Sequence, residues 1–220
     1  MIKGSARFRN LLLLLIVVWV GNACNPANES PLTPTTAETY PVDKSLREYY
    51  EDLGGADLLG PAISPIFKHD NQQCQYLVSA LMCYNPLATG VERFALAPLG
   101  LDLDVHDDPE AMVADSDEPF VDGYFIYQDF YKIYQQLNGP VNVGKPLTRV
   151  RYNYDQQRVE QYFEKLGFAH NFDDPQGTVN LMPYGAYFCG ENCRYSTEPQ
   201  ASFIPANQTA ITSPFDYALE

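Results

Sequence analysis

Leu53-Gly-Gly-Ala-Asp-Leu-Leu-Gly-Pro-Ala-Ile63 and Leu137-Asn-Gly-Pro-Val-Asn-Val-Gly-Lys-Pro-Leu147 are the two stretches on which the fold turns. They share a Leu, two turn-forming positions, a second Gly and a Pro, in the same order. An aromatic-rich stretch with helical spacing precedes each, and a Gln-Tyr pair follows each, Gln75-Tyr76 and Gln161-Tyr162. Each copy then reaches an apolar segment bounded by glycines, Gly90 to Gly100 and Gly177 to Gly185. Four ordered matches at one spacing define an internal repeat, and a repeat decides the architecture before any single element does.

The local signals agree in both copies. Leu46, Tyr49, Tyr50 and Leu53 recur at three- and four-residue steps, as do Phe130, Ile133, Tyr134 and Leu137, so each copy opens on an amphipathic helix. Ser45 and Glu48 have capping-box spacing at the start of the first helix. Gly54-Gly55 and Asn138-Gly139 close the helices, because these residues tolerate the left-handed conformation of a helix end. Val150 to Tyr154, Arg158 to Phe163 and Leu166 to Asn171 are rich in β-branched and aromatic residues and read as short strands. The expectation is an α+β fold: two related repeats, each a helix on a small antiparallel sheet. Repeat 1 is placed at 45–103, an acidic linker at 104–121 and repeat 2 at 122–194.

Outward from the repeats, the chain begins with Lys3, Arg7 and Arg9 and no acidic residue, followed by an unbroken apolar run from Leu11 to Val20. A basic head and a short apolar core are the marks of a secretory signal. The run is half the ~20 residues needed to cross a hydrocarbon layer, and no spanning helix is expected in the mature chain. Residues 1–23 are read as the signal peptide. Gly21-Asn22-Ala23-Cys24 resembles the lipobox of bacterial lipoproteins, which makes Cys24 the lipid anchor; the alternative is ordinary cleavage after Ala23 and a secreted protein. Residues 24–44, crowded with Pro, Thr, Ser and Asn, read as an extended tether, and 195–220 as a low-order tail.

Removal of the leader leaves 11 basic against 28 acidic residues, a net charge of −17. That balance argues against nucleic acid and against electrostatic adhesion to anionic lipid. Beyond Cys24 the cysteines number an even four, Cys74, Cys83, Cys189 and Cys193, which in an exported chain favours disulfides. Cys74 and Cys83 flank a hairpin-like octapeptide, and Cys189-Gly-Glu-Asn-Cys193 is a turn, so local pairing is expected in both. A four-thiolate zinc site is the competing reading, but only the second pair has zinc-ligand spacing.

Arg158-Val-Glu-Gln-Tyr-Phe-Glu164, with the two Leu-Gly-type segments ahead of the Gln-Tyr pairs, resembles the LGFP-like repeats of exported bacterial proteins, lipoproteins among them. The resemblance spans both copies. It implies association with the cell envelope and surface binding or architecture, and it transfers no catalytic residues.

Candidate chemistry is sparse. The acidic run from Asp102 to Glu118 has oxygen ligands in number, but without the glycine that an EF-type calcium loop needs it reads as a solvated linker. His69, His106 and His170 lie far apart, no Gly-x-Ser-x-Gly elbow occurs, and no metal or cofactor is expected. Glu160 and Glu164 are the carboxylates a glycan hydrolase would use. Tyr152, Tyr154 and Tyr162, with Arg149 and Arg151 nearby, suggest instead a platform that stacks on sugar rings. The function expected is non-enzymatic: a membrane-anchored envelope lipoprotein that binds cell-wall glycan or organises the envelope. The alternatives are an extracytoplasmic glycan hydrolase and a subunit docking onto another envelope protein.

Overall fold

The computed structural model describes residues 39–111, 118–189 and 193. The leader, Cys24, most of the tether, Asp115 and Asp117, and the tail lie outside the described residues.

The chain is α+β, and its two halves present their elements in the same order. The first half has α1 (Arg47–Asp52) and α2 (Gly55–Leu59). Then come β1 (Phe67–His69), β2 (Gln72–Tyr76), β3 (Leu81–Tyr84) and β4 (Phe94–Leu96), and a 3-10 helix at Leu99–Leu103. A hairpin, β5 (Phe120–Val121) and β6 (Tyr124–Phe125), leads into the second half. There α3 (Gln128–Gln136) and α4 (Gly139–Asn142) precede β7 (Arg151–Asn153), β8 (Arg158–Tyr162), β9 (Gly167–Asn171) and β10 (Asn180–Leu181), and α5 (Tyr184–Cys189) closes it. Each sheet is an antiparallel meander, β1-β2-β3-β4 and β10-β9-β8-β7.

One core serves both halves. Leu46, Tyr50 and Leu53 of α1 and Phe130, Tyr134 and Leu137 of α3 are buried in a cluster with Met82 and Leu96 of one sheet and Val159 and Phe168 of the other. The expected helical stripes are therefore the core faces. Each helix breaks once, at a residue in the left-handed region: Gly54 (φ 95°) and Asn138 (φ 55°), after which the chain turns into α2 or α4. Sequence periodicity shows one helix per copy where the fold has two, since a single turn carries no apolar period of its own.

The Gln-Tyr pairs act as clamps. The Gln75 amide donates to the Pro41 and Ser64 carbonyls and accepts from the Asp43 amide; Gln161 donates to the Phe125 and Thr148 carbonyls and accepts from the Tyr127 amide. The hydroxyls of Ser64 and Thr148 in turn accept from the amides of Tyr76 and Tyr162. Buried side-chain amides satisfied in this way tie three chain segments together at each site. The clamp also moves the start of the folded part. Tyr40 donates to Ala62, and Pro41 and Asp43 are held by Gln75, so the end of the expected tether belongs to the first half.

The capping box does not form. Two residues earlier Asp43 competes for Ser45: its carboxylate accepts both the Ser45 amide at 2.9 Å and the hydroxyl at 2.6 Å, and α1 has no side-chain cap bond. Those bonds, the hydroxyl first, hold the Asp43 carboxyl below the usual range. A carboxyl depressed in the folded state contributes stability that is present above its unfolded value of about 4 and is lost as pH falls through the folded value. Asp43→Ala is therefore expected to lower stability near neutrality by less than about 1 kcal/mol, because the largely exposed carboxyl is screened by solvent. The difference between variant and parent melting temperatures should shrink as the pH is taken down through the acid range.

Two glycines make reciprocal close approaches. Gly100, in the 3-10 helix of the first half, lies against the Phe163 carbonyl at the β8–β9 turn, and its amide donates to Glu164 at 2.8 Å. Gly185, in α5 of the second half, lies against the Leu77 and Ala80 carbonyls at the β2–β3 turn, and the adjacent Ala186 amide donates to Val78 at 2.9 Å. Each half thus lays its last helix on the hairpin turn of the other.

Candidate functional site

Strand alternation sorts the second sheet into two faces. From the register, Arg151 sits opposite Glu160, Asn153 opposite Arg158 and Glu160 opposite Ala169, so these residues share one face with Tyr162. Tyr152, Val159, Gln161, Phe168 and His170 share the other.

The first face is a buried polar network. Glu160 is 0% exposed, and its carboxylate accepts from Asn153 at 3.0 Å, from the Tyr162 hydroxyl at 2.9 Å and from the Arg158 guanidinium. Arg151 pairs with Asp107 at 2.6 Å and lies over the Tyr162 ring. Tyr162 stacks on Tyr184, whose phenol is pushed well above its ordinary value by burial, with Tyr162 and Glu160 adding to the effect. Two arginines and two carboxylates are thereby neutralised pairwise, the condition under which charges persist in an interior.

In the first half the same register position holds a disulfide. Cys74 faces Cys83 across β2 and β3, with Cα atoms 4.1 Å apart, as Glu160 faces Ala169 across β8 and β9. Cys189 and Cys193 form the second bridge, with Cα atoms 5.6 Å apart. Both cysteine pairings follow the local pattern expected.

The aromatic platform is not assembled as expected. Tyr162 is on the opposite face from Tyr152 and is fully buried; Arg151 is buried with Asp107, and Arg149 pairs with Glu110 at 3.3 Å. Alternation is the reason: residues an odd number of places apart on one strand, or paired across odd register, look in opposite directions. Tyr152 and Tyr154 do come together, around Phe172. Its ring lies 6.4 Å from Tyr152 and 5.8 Å from Tyr154, with tilts of 31° and 55°. Tyr154 is 52% and Phe172 40% exposed. Phe172 is not legible in the sequence, because one Phe past a strand end carries no periodic signal.

The acidic stretch is only in part the solvated linker expected: Asp102, Asp104, His106, Asp108 and Glu118 are exposed, but Leu103 and Val105 are buried and Asp107 and Glu110 are held by the second half. Asp107 donates its amide to Leu147 and accepts from the Arg149 amide as well as from Arg151; the Glu110 amide donates to Gly123. Val105 is buried, and residues 120–125 form the hairpin β5–β6, which spans the expected start of repeat 2 at 122. Arg149 and Arg151 stand opposite these carboxylates and draw the segment onto the sheet.

Among the described residues no group of three His, Cys, Asp or Glu side chains is placed to hold a metal, and no helix is long and apolar enough to cross a membrane. His170 lies 3.7 Å from Asp129, and exposed His69 lies 3.9 Å from Asp70. Glu164 accepts the Lys145 amide at 3.1 Å and packs over Gly144. A shallow depression of about 500 Å³ on the first half is lined by Ile66, Phe67, Lys68, Pro86 and Leu87, among others. Comparisons with protein-family models, with curated proteins and with solved structures find no match for the chain.

Proposed function

We propose that this chain is a non-enzymatic, extracytoplasmic protein, anchored to a membrane by a lipid on Cys24, that binds envelope glycan or organises the envelope. The two halves are, in this reading, two copies of one unit. The export-type leader, the lipobox-like Gly21 to Cys24, two local disulfides and the likeness to LGFP-like repeats support it. One observation carries the choice of binding over hydrolysis: Glu160, the better placed of the two candidate carboxylates, has no exposure and three donors already in place. A carboxylate so committed serves the fold, whereas the exposed rings of Tyr154 and Phe172, on the other face of the sheet, are open to a ligand.

Sedimentation with isolated cell walls tests the proposal. The purified chain is expected in the wall pellet at low and at high salt. Full recovery in the supernatant at both would remove the glycan-binding reading, and co-purification with one envelope protein in the absence of wall binding would favour docking. Metabolic labelling with a clickable fatty acid tests Cys24 separately; label lost in Cys24→Ala is the expected result.

A further inference from the structure

The aromatic trio at the outer edge of the second sheet is absent from the first half. Counting 84 residues back from Tyr152 and Tyr154 gives Lys68 and Asp70, and 86 back from Phe172 gives Pro86. The same meander forms without rings there, so the architecture does not require them. They sit on the edge strand β7 and just past the ends of β7 and β9, where a ligand meets no competing strand.

The chemistry around them is one-sided. Asp155 and Asp173 are exposed and adjoin Tyr154 and Phe172 in the chain. Glu118 is near enough to push the Tyr152 phenol upward, though burial does more. A phenylalanine ring and two phenols offer flat apolar faces with hydroxyls at their edge, the combination that stacks on the C–H face of a pyranose and hydrogen-bonds its rim. Carboxylates at the margin repel anionic polymers and attract ammonium groups. The tilts of 31° and 55° make a twisted strip, which fits a single soluble chain and not a flat crystalline surface.

We infer that Tyr152, Tyr154 and Phe172 form a binding site for a pyranose glycan without negative charge, an amino- or N-acetylamino-sugar chain being the best fit. The inference rests on the glycan-binding reading and gives it a location.

The test uses the chain exported with its own leader and purified. It is titrated calorimetrically with an oligomer of N-acetylglucosamine, with its deacetylated form, and with a hyaluronan fragment as the polyanion. Saturable binding of either of the first two, and none of the third, is expected. Tyr154→Ala and Phe172→Ala, each checked for an unchanged melting temperature, should weaken binding about tenfold or more. Equal binding by the polyanion, no saturable binding at all, or binding indifferent to both substitutions overturns the site. Wall sedimentation of the double variant separates the two claims. Wall binding retained in that variant removes this site and leaves the glycan reading standing, whereas no wall binding by the parent removes both.

Discussion

Gly185→Ala is expected to lower the stability of the protein by about 3 kcal/mol or more, at the upper end of what overpacking costs. A methyl group there would fall well inside contact distance of the Leu77 and Ala80 carbonyl oxygens. These are backbone atoms at a hairpin turn, and they cannot rotate away as a side chain would. Gly100→Ala meets the Phe163 and Glu164 carbonyls in the corresponding place and should cost a similar amount. In a folded part of this size such a loss lowers the melting temperature by roughly 6–12 °C. Neither glycine is assigned a positive φ, so the cost is steric and not conformational. The contrast is Gly90→Ala. No atom lies near its added methyl, but its φ of 64° gives a modest penalty of backbone origin. Stability of Gly185→Ala within about 0.5 kcal/mol of the parent would show that α5 does not approach the first half so closely.

The second large effect is expected at Glu160. Removing it as Glu160→Ala leaves Arg158, Asn153 and Tyr162 turned toward a missing carboxylate in the interior. Breaking a buried ion pair from one side typically costs about 3–5 kcal/mol, since the remaining charge is left without compensation. Glu160→Gln keeps the shape and one acceptor oxygen and should lose less. Replacing the pair together, as Glu160→Leu with Arg158→Met, should recover much of the loss, because no orphaned charge remains. Chemical denaturation of the three variants reads this directly. Glu164→Gln, at a surface turn, should remain within about 0.5 kcal/mol of the parent. A consequence for the hydrolase alternative follows: glycan-cleaving activity lost in a Glu160 variant is informative only where the variant is shown to be folded.

Much of this fold was legible because its signals are local or doubled. The helical stripes, the hairpin around Cys74 and Cys83 and the three strands from Val150 to Asn171 follow from periodicity and turn residues. The ordered matches between the halves reinforce each of these signals. What escaped was of another kind. The clamp of Gln161 on Phe125, Tyr127 and Thr148 joins residues up to 36 positions apart, and a motif shows that Gln recurs without showing what it holds. α5, written Tyr-Gly-Ala-Tyr-Phe-Cys, has too short a run and too poor a propensity to announce itself. The site was half legible. Tyr152 and Tyr154 are legible as neighbouring tyrosines, whereas Tyr162 is close in sequence but stands on the opposite face by strand parity. Arg151 pairs with Asp107 and Arg149 with Glu110, and Arg149 also donates to the Asp108 carbonyl, contacts across more than 35 residues that only the folded chain reveals.

The exchange of terminal helices between the halves also sets an order of events during synthesis. Residues that cover the β2–β3 turn belong to α5, more than a hundred positions later in the chain. While the N-terminal half emerges, its Ile63 has no cover from Ala186 and Cys189. The cover of this turn therefore forms late, whatever the first half has built by then. Nearly the whole chain must be out of the ribosome before this contact can form.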